Sequence, residues 1–435
     1  MALLLFPITS PVLLGAEGGN VRPPLVVLAL LALPLVLWNS GRRLIHDQGF
    51  RAILLFASVA ILTGAAVLFF SPPDSFPGKP GPAALFVKAS LSLLGGLSVY
   101  VLARERWRST ADVVTDVPWI LAGMSLSCFL AILQMLSQGS LSEWRPAIVA
   151  ISQWFSTAYR EAAPLAGRSN GLAYEPAYLA GQMIVVVIPL SLLAAWVGRI
   201  RLATVGWLVA LIAVGASGSR LGIIAVVVVG ALACIWVGLR VRPALGFLGA
   251  ILGMVALTLA LSLQRGNDYV RAPLDALASG SASHEVAPDP SLQHMAKRLG
   301  VRPRWSATLA AWEVARAHPW MGCGLGMVPL HMGAYFQEWS REDQEIQRAL
   351  SPSSHDLPNP FSMIVRIPSE LGLLGVLLAG LILIAHRPRS WNSLGGGLAI
   401  TGGVGLLADL ALHASFAMPQ TWLLLAALAA SSSDD

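Results

Sequence analysis

Long apolar runs separated by short polar turns extend along the whole chain. Runs of 15 to 22 mostly apolar residues recur, and about 20 residues of helix cross the hydrocarbon core of a bilayer. The pattern predicts an all-α polytopic membrane protein with about twelve spanning helices. We place them at residues 2–16, 23–38, 51–70, 82–103, 117–137, 173–196, 202–217, 221–239, 243–263, 371–386, 396–414 and 418–431. For the first segment a cleaved signal peptide is the alternative, although it lacks a positive n-region.

The composition supports this class and limits the partners. Apolar residues make up 55% of the 435 residues and charged residues 12%, about half the charged share of a soluble domain. The net charge of +6 comes largely from arginines between the apolar runs, where they act as topology signals. We therefore expect membrane lipids, and no nucleic acid, as partners. The three cysteines (Cys128, Cys234 and Cys323) lack metal-ligand spacing.

The arginines are distributed unequally between alternate loops. Twelve of them occupy five alternate short loops: Arg42, Arg43, Arg51, Arg104, Arg106, Arg108, Arg199, Arg201, Arg240, Arg242, Arg387 and Arg389. The other short loops contain only Arg22, Lys79 and Arg220. The positive-inside rule places the first set in the cytoplasm. Both termini are then cytoplasmic.

This orientation predicts two long segments on the outer side and divides the chain into five parts. The parts are helices 1–5 at 1–137, an outer segment at 138–172, helices 6–9 at 173–263, a large outer loop at 264–370, and helices 10–12 with a cytoplasmic tail at 371–435. The first outer segment predicts an interfacial helix, because one helical face collects Trp144, Ile148, Ile151, Trp154 and Phe155.

The large outer loop contains short predicted elements. Residues 273–290 are rich in Ser, Ala, Pro and Asp, which predicts a mobile linker. A helix follows from Arg304 to His318, and the glycine run 322–326 ends it. His355 lies in a proline-interrupted stretch before the last re-entry into the membrane. It is either an ordinary surface histidine or a group that moves a proton near neutral pH.

Four more charged residues at the outer face are candidates for chemistry. Arg220 follows a four-residue turn and begins an apolar run, so it either snorkels to lipid headgroups or forms an anion site at a helix start. Glu175 opens the sixth span and needs a partner or a wet cavity, for which Arg168 is the candidate. Arg304 alone would be an ordinary solvated charge. Lys88 and Asp409 lie deeper in the membrane, and for them a structural pair inside the bundle is at least as good an interpretation as a functional role.

Four stretches together resemble the O-antigen ligase and polymerase superfamily of bacterial membrane glycosyltransferases. Residues 168–180 (RSNGLAYEPAYLA) resemble its R-x-x-G…E-P-x-x-L-A stretch, and residues 218–222 (GSRLG) resemble its S-R-x-G. Residues 304–326 are similar to R…W…A…H-P-x-x-G-x-G, and the end of 355–375 is similar to E-x-G-x-x-G. In the family pattern an asparagine follows the histidine directly, whereas here Asp356 follows His355 and the next asparagine is Asn359.

The resemblance implies glycan transfer from undecaprenyl pyrophosphate on the periplasmic side of the bacterial inner membrane. Arg220 and Arg304 would bind the pyrophosphate, His355 would be the catalytic base, and Arg168 with Glu175 would shape the donor groove. No metal or cofactor is expected.

The acceptor is either another lipid-linked repeat, as in a polymerase, or lipid A-core in lipopolysaccharide biosynthesis, as in a ligase. The Glu175-Pro176 pair slightly favours the polymerase. A transporter and a non-catalytic assembly subunit are the alternatives of other classes. In a transporter we would expect polar residues near the midplane of the membrane, whereas in this sequence the unusual polar residues cluster at the outer face.

Overall fold

The computed structural model describes residues 2–9, 23–74, 78–155, 168–238, 302–352, 354, 357–391 and 393–432. All regular elements within these ranges are helical. The longer helices are α1 (Pro24–His46), α2 (Gln48–Phe70), α3 (Pro82–Arg106), α4 (Thr110–Leu136), α5 (Arg145–Phe155), α6 (Pro176–Trp196), α7 (Ile200–Ser217), α8 (Arg220–Gly238), α9 (Arg302–Ala317), α13 (Met363–Ala385), α14 (Leu394–Leu412) and α15 (Pro419–Ser431). Three short helices are α10 (Val328–His331), α11 (Glu338–Arg341) and α12 (Gln344–Leu350).

Seven of the described helices are long and apolar enough to cross a bilayer: α1, α2, α3, α4, α6, α7 and α13. Shorter apolar helical stretches occupy Gly222–Leu232 in α8 and Gly395–Ala411 in α14. The chain is therefore a polytopic membrane protein, as predicted. The predicted span 243–263, the linker 273–290 and most of segment 2–16 lie outside the described residues. The described start of the first segment is a short 3-10 helix, Ala2–Leu5.

A kink divides α13 into two helical segments. Helical residues run from Met363 to Ala385, but Gly372 has a non-helical backbone (φ 62°, ψ −157°). The Leu373 N–H donates to the Pro319 carbonyl at 2.8 Å. The segment after the kink covers the residues of the predicted span 371–386. In the segment before it, the Arg366 Nε and Glu370 Oε1 atoms are 2.8 Å apart in an i,i+4 pair, and Glu370 is buried.

Helix α6 lies at the centre of the bundle. Nearly all of its apolar stretch is buried, and it packs against α4, α7, α14 and α15. A π-turn at Met183–Val187 interrupts it. Small residues allow close helix approach elsewhere in the bundle. At Gly96 of α3, for example, an added Cβ would lie 2.0 Å from the indole nitrogen of Trp422 in α15.

The alternating direction of the helices separates two ends of the molecule. Ten of the twelve predicted cytoplasmic arginines are described, and all of them flank the α1–α2, α3–α4, α6–α7 and α13–α14 links. We call this the arginine-rich end. The opposite end, which we call the loop end, carries α5, the α7–α8 turn, and the helices α9–α12. Helix α9 packs there against α13.

The predicted helix in the first outer segment is present as α5. Its Ile148 and Ser152 are buried against the bundle, whereas Trp144, Ile151 and Trp154 are exposed. The exposed aromatic face agrees with the predicted interfacial position, which stays a prediction.

Candidate functional site

Helix α9 is held on α13 by the glycine run that follows it. As predicted, the helix ends before this run, and Gly322, Gly324 and Gly326 all have positive φ angles. These conformations suit glycine because it has no Cβ. The Cys323 N–H donates to the Ser369 carbonyl at 2.8 Å, and the Gly324 N–H donates to the Glu370 carbonyl at 3.0 Å. The run therefore fixes the position of α9 at the loop end.

The segment before α6 is held by a buried glutamine. Gln134 of α4 accepts hydrogen bonds from the backbone N–H groups of Asn170 and Gly171, at 3.1 and 3.0 Å. The Leu172 N–H donates to the Ser127 hydroxyl at 3.0 Å. Glu175 then forms the N-cap of α6. These bonds place Glu175 at the loop end, at the start of the central helix.

Arg168 lies beside the α7–α8 turn. Its Nε atom donates to the Ser217 carbonyl at 3.3 Å, and the Ser169 N–H donates to the Ala216 carbonyl at 3.0 Å. Ser169 stands in a G-x-S-x-G string at 167–171, but it is fully buried. It is therefore not the exposed nucleophile that such a string carries in hydrolases.

Arg220 is the first residue of α8. Gly218 ends α7 in the left-handed conformation (φ 58°), and the Ser219 hydroxyl accepts from the Gly222 N–H at 3.2 Å as the cap of α8. The Arg220 side chain lies outside the described atoms. Its backbone nevertheless stands at a helix N-terminus, where anions are stabilised, next to the turn that Arg168 contacts.

Arg304, in the first turn of α9, pairs with Glu175. The Arg304 Nη2 and Glu175 Oε2 atoms are 3.4 Å apart, and about 40% of each side chain stays exposed. The sequence had suggested Arg168 as the partner of Glu175. Arg304, far away in sequence, fills that role, because the glycine run brings α9 to the start of α6. The pair is open to ligands.

An aromatic ring also lies next to Arg304. The guanidinium carbon lies 5.2 Å from the ring centre of Phe361, which is cation–π distance. Phe361 has a positive φ of 55°, a conformation that bulky residues rarely adopt. The Asn359 side chain accepts from the Phe361 N–H at 3.1 Å, which helps to hold this turn against Arg304.

Acidic side chains surround the pair. Desolvation raises the pKa of Glu345 in α12 although its side chain reaches solvent, and the charges of Arg304, Asp343 and Glu175 also act on this carboxyl. Arg304 contacts Glu175, and its charge acts in the opposite direction to desolvation on the pKa of Glu345. An incoming anion would have to compete with the Glu175 carboxylate for this guanidinium.

Two loop histidines that flank the glycine run form a separate contact. The rings of His318 and His331 are 5.4 Å apart in an edge-to-face arrangement. Burial lowers the pKa of His331, and the charge of His318 lowers it further. Both effects favour the neutral form of His331. His355, the predicted base, lies outside the described residues.

Comparison with known families identifies the part of the chain that carries Arg220 and Arg304. The family model described as O-antigen ligase (Wzy_C) matches residues 203–380. These residues form an O-antigen ligase domain. The predicted resemblance is confirmed, and with it an enzyme of lipid-linked glycan transfer. No protein of curated function matches the chain.

The O-antigen ligase domain does not contain the whole candidate site. Arg220, Arg304 and His355 lie within the matched residues, whereas Arg168 and Glu175 precede them. The structure joins Arg304 directly to Glu175, and Arg168 to the turn that begins α8.

Three residues that shape this site were not predicted from the sequence. Gln134 had a usable signal, because a glutamine inside an apolar span needs a hydrogen-bond partner. Phe361 and Glu345 had no such signal in the sequence, since their positions depend on how the loop folds over α9.

The buried acid at Asp409 has partners inside the bundle. Its Oδ1 atom lies 2.7 Å from His413 Nδ1, and the Gln420 amide donates to both carboxylate oxygens at 3.3 Å. The His413 ring stacks on Tyr178 at 4.2 Å between centres. Lys88 is exposed on α3 instead. Asp409 thus belongs to a structural pair, one of the two interpretations that the sequence left open.

Proposed function

We propose that this enzyme moves a glycan from undecaprenyl pyrophosphate to an acceptor at the loop end, facing the periplasm. The observation that supports this most is the half-exposed Arg304, held between Glu175 and Phe361 within an O-antigen ligase domain. A polymerase that uses a lipid-linked repeat as acceptor is slightly preferred, on the Glu175-Pro176 pair. A ligase that uses lipid A-core is the alternative.

The residues fit a displacement with a pyrophosphate leaving group. The acceptor hydroxyl oxygen forms a bond to the anomeric carbon, while the bond from that carbon to the pyrophosphate oxygen breaks. Arg304 and Arg220 would bind the pyrophosphate and offset its developing charge. Arg304 would exchange its contact with Glu175 for phosphate oxygens. His355 would accept the proton of the hydroxyl.

The site on the outer face depends on the proposed topology of twelve spans with both termini in the cytoplasm of the bacterial inner membrane. Single cysteines at Arg108 and Glu338, in a background without the three native cysteines, test it. An impermeant maleimide should label the Glu338→Cys variant in spheroplasts and leave Arg108→Cys unlabelled until the membrane is broken. Labelling of both from the same side would contradict the proposal.

Purified protein in nanodiscs, supplied with a lipid-linked donor, tests the reaction. One arm adds a lipid-linked repeat as acceptor and the other adds lipid A-core. A ladder of longer lipid-linked chains supports the polymerase, and glycan on the core supports the ligase. Arg304→Ala should lose transfer. Arg316→Ala, on the same helix and paired with Glu313, is the matched control. Wild-type protein that transfers glycan to neither acceptor would argue against both activities.

A further inference from the structure

A polar cavity of about 580 Å³ lies at the arginine-rich end, on the opposite side of the bundle from Arg304. Its walls come from the start of α2, the last turn of α3, the link between α13 and α14, and the end of α15. The volume falls in the range of small-molecule sites, about 300–1,000 Å³. The reaction proposed above uses none of its residues.

The cavity carries a net positive charge. Three arginines and one aspartate line it: Arg104, Arg387, Arg389 and Asp47. Arg104 is already neutralised, because its Nε atom lies 2.8 Å from Asp47 Oδ2, and its Nη1 atom donates to the Trp107 carbonyl at 2.7 Å. Arg387 and Arg389 are exposed and have no carboxylate partner among the described residues. Two guanidinium groups without a carboxylate partner in the described part of the chain therefore line the cavity.

The beginning of α2 adds to this positive potential. Gln48 and Gly49, its first two residues, line the cavity. The Asp47 side chain accepts only from the Phe50 N–H at this helix start, at 2.9 Å. The N-terminus of a 23-residue helix carries a partial positive charge that favours anions. Because the Asp47 carboxylate already caps this helix end, the two arginines supply most of the attraction of the cavity for an anion.

The rim of the cavity is apolar on the side of the link after α13. Ile384 and Trp391 line it, and 59% and 61% of their surfaces are exposed. Tryptophan at this level is typical of the membrane interface. A ligand that joins a phosphate to acyl chains would fit both the basic and the apolar parts of the cavity. Basic pockets between spanning helices on the cytoplasmic side are known to bind anionic headgroups.

We propose that this cavity binds the phosphate headgroup of an anionic phospholipid, with Arg387 and Arg389 holding the phosphate. Arg104 and Asp47 form its fixed wall, and Ile384 and Trp391 contact the acyl chains. The proposal is independent of glycan transfer at the loop end.

Native mass spectrometry of the purified protein in detergent tests it. Phosphatidylglycerol is titrated in, with phosphatidylcholine of the same acyl chains as the zwitterionic arm and inorganic phosphate as the competitor. The Arg387→Ala/Arg389→Ala variant should lose roughly 10- to 30-fold in affinity for phosphatidylglycerol, since each arginine near the membrane surface contributes about 1 kcal/mol. The Arg199→Ala/Arg201→Ala variant is the matched control. It removes two exposed arginines from the same end, outside the cavity.

Preferential binding of phosphatidylglycerol, lost in the cavity variant and kept in the control, supports the site. Equal losses in both variants would mean that only general surface charge is involved and would overturn it. Phosphatidylcholine binding as tightly would also overturn it. Full displacement by millimolar phosphate would show a site for the free anion rather than for a lipid.

Discussion

Two acid–base pairs lie near the loop end, and their surroundings differ. Glu175 and Arg304 are 3.4 Å apart, with 39% and 38% of their side chains exposed. Asp409 and His413 are 2.7 Å apart, with only 1% and 4% exposed. The first pair joins two elements that are 129 residues apart in sequence, and the second lies within four residues of α14 and its C-cap.

The difference separates a binding role from a folding role. A half-exposed pair contributes about 0–1 kcal/mol to stability, so Arg304 is available to exchange Glu175 for an incoming anion. A buried pair is closed to ligands, and removing one partner leaves the other unsatisfied in a low-dielectric site. We therefore expect Asp409 variants to change folding and Arg304 variants to change transfer.

The largest expected effect is on stability at the buried pair. Asp409→Ala leaves His413 and the Gln420 amide without their acceptor, so the free energy of unfolding should fall by about 3 kcal/mol or more. Asp409→Asn keeps an acceptor oxygen and should lose less stability than Asp409→Ala. Glu313→Ala, which breaks an exposed pair with Arg316, should stay within about 0.5 kcal/mol of wild type. Chemical unfolding in detergent measures all three, and equal values for Asp409→Ala and Glu313→Ala would remove the distinction.

The second effect is on transfer at the open pair. Arg304→Ala should lose roughly 10²- to 10³-fold in transfer rate, as when one electrostatic donor is removed from an active site. Its unfolding free energy should change by no more than about 1 kcal/mol. Arg304→Lys should recover only part of the rate, because lysine cannot offer a bidentate fork to phosphate oxygens. Rates come from the nanodisc assay. A stable, fully active Arg304→Ala protein would remove Arg304 from the site.

The third effect tests the catalytic base. His355→Ala should lose about 10²-fold in transfer rate while donor binding survives, because the proposed pyrophosphate contacts are Arg220 and Arg304. His318→Ala and His331→Ala are the comparison variants from the same loop. If His355→Ala keeps near wild-type turnover and His318→Ala or His331→Ala loses it, the catalytic base is a histidine beside the glycine run instead of His355.

The smallest expected effect is on the pH dependence of stability, through His331 in the large outer loop. Burial lowers the pKa of His331 below its ordinary value of 6.5, so the unfolded chain binds a proton more readily than the folded loop. Stability should therefore fall as the pH drops below about 6.5. The fall should be weaker in His331→Gln, which cannot take up the proton. Thermal unfolding at pH 7.5 and pH 5.5 measures this, and identical pH dependence in the two proteins would exclude His331 as the cause.

Local patterns in the sequence predicted much of this protein. Apolar runs predicted the polytopic helical class, since about 20 apolar residues have few alternatives to a bilayer span. Helix α9 and its glycine end were also readable, because helix periodicity and a left-handed backbone depend on neighbouring residues. The pieces of family pattern in Arg220 and Arg304 indicated the kind of enzyme.

Tertiary structure decided which charges meet. No local rule connects Arg304 to Glu175, because their contact depends on the docking of α9 onto α13 through backbone bonds of the glycine run. The kink at Gly372 in α13 has a similar origin, because the Leu373 N–H that follows it bonds to the Pro319 carbonyl just after α9. Sequence patterns report the preference of each segment for water or lipid, whereas partners are chosen by packing between segments far apart in the chain.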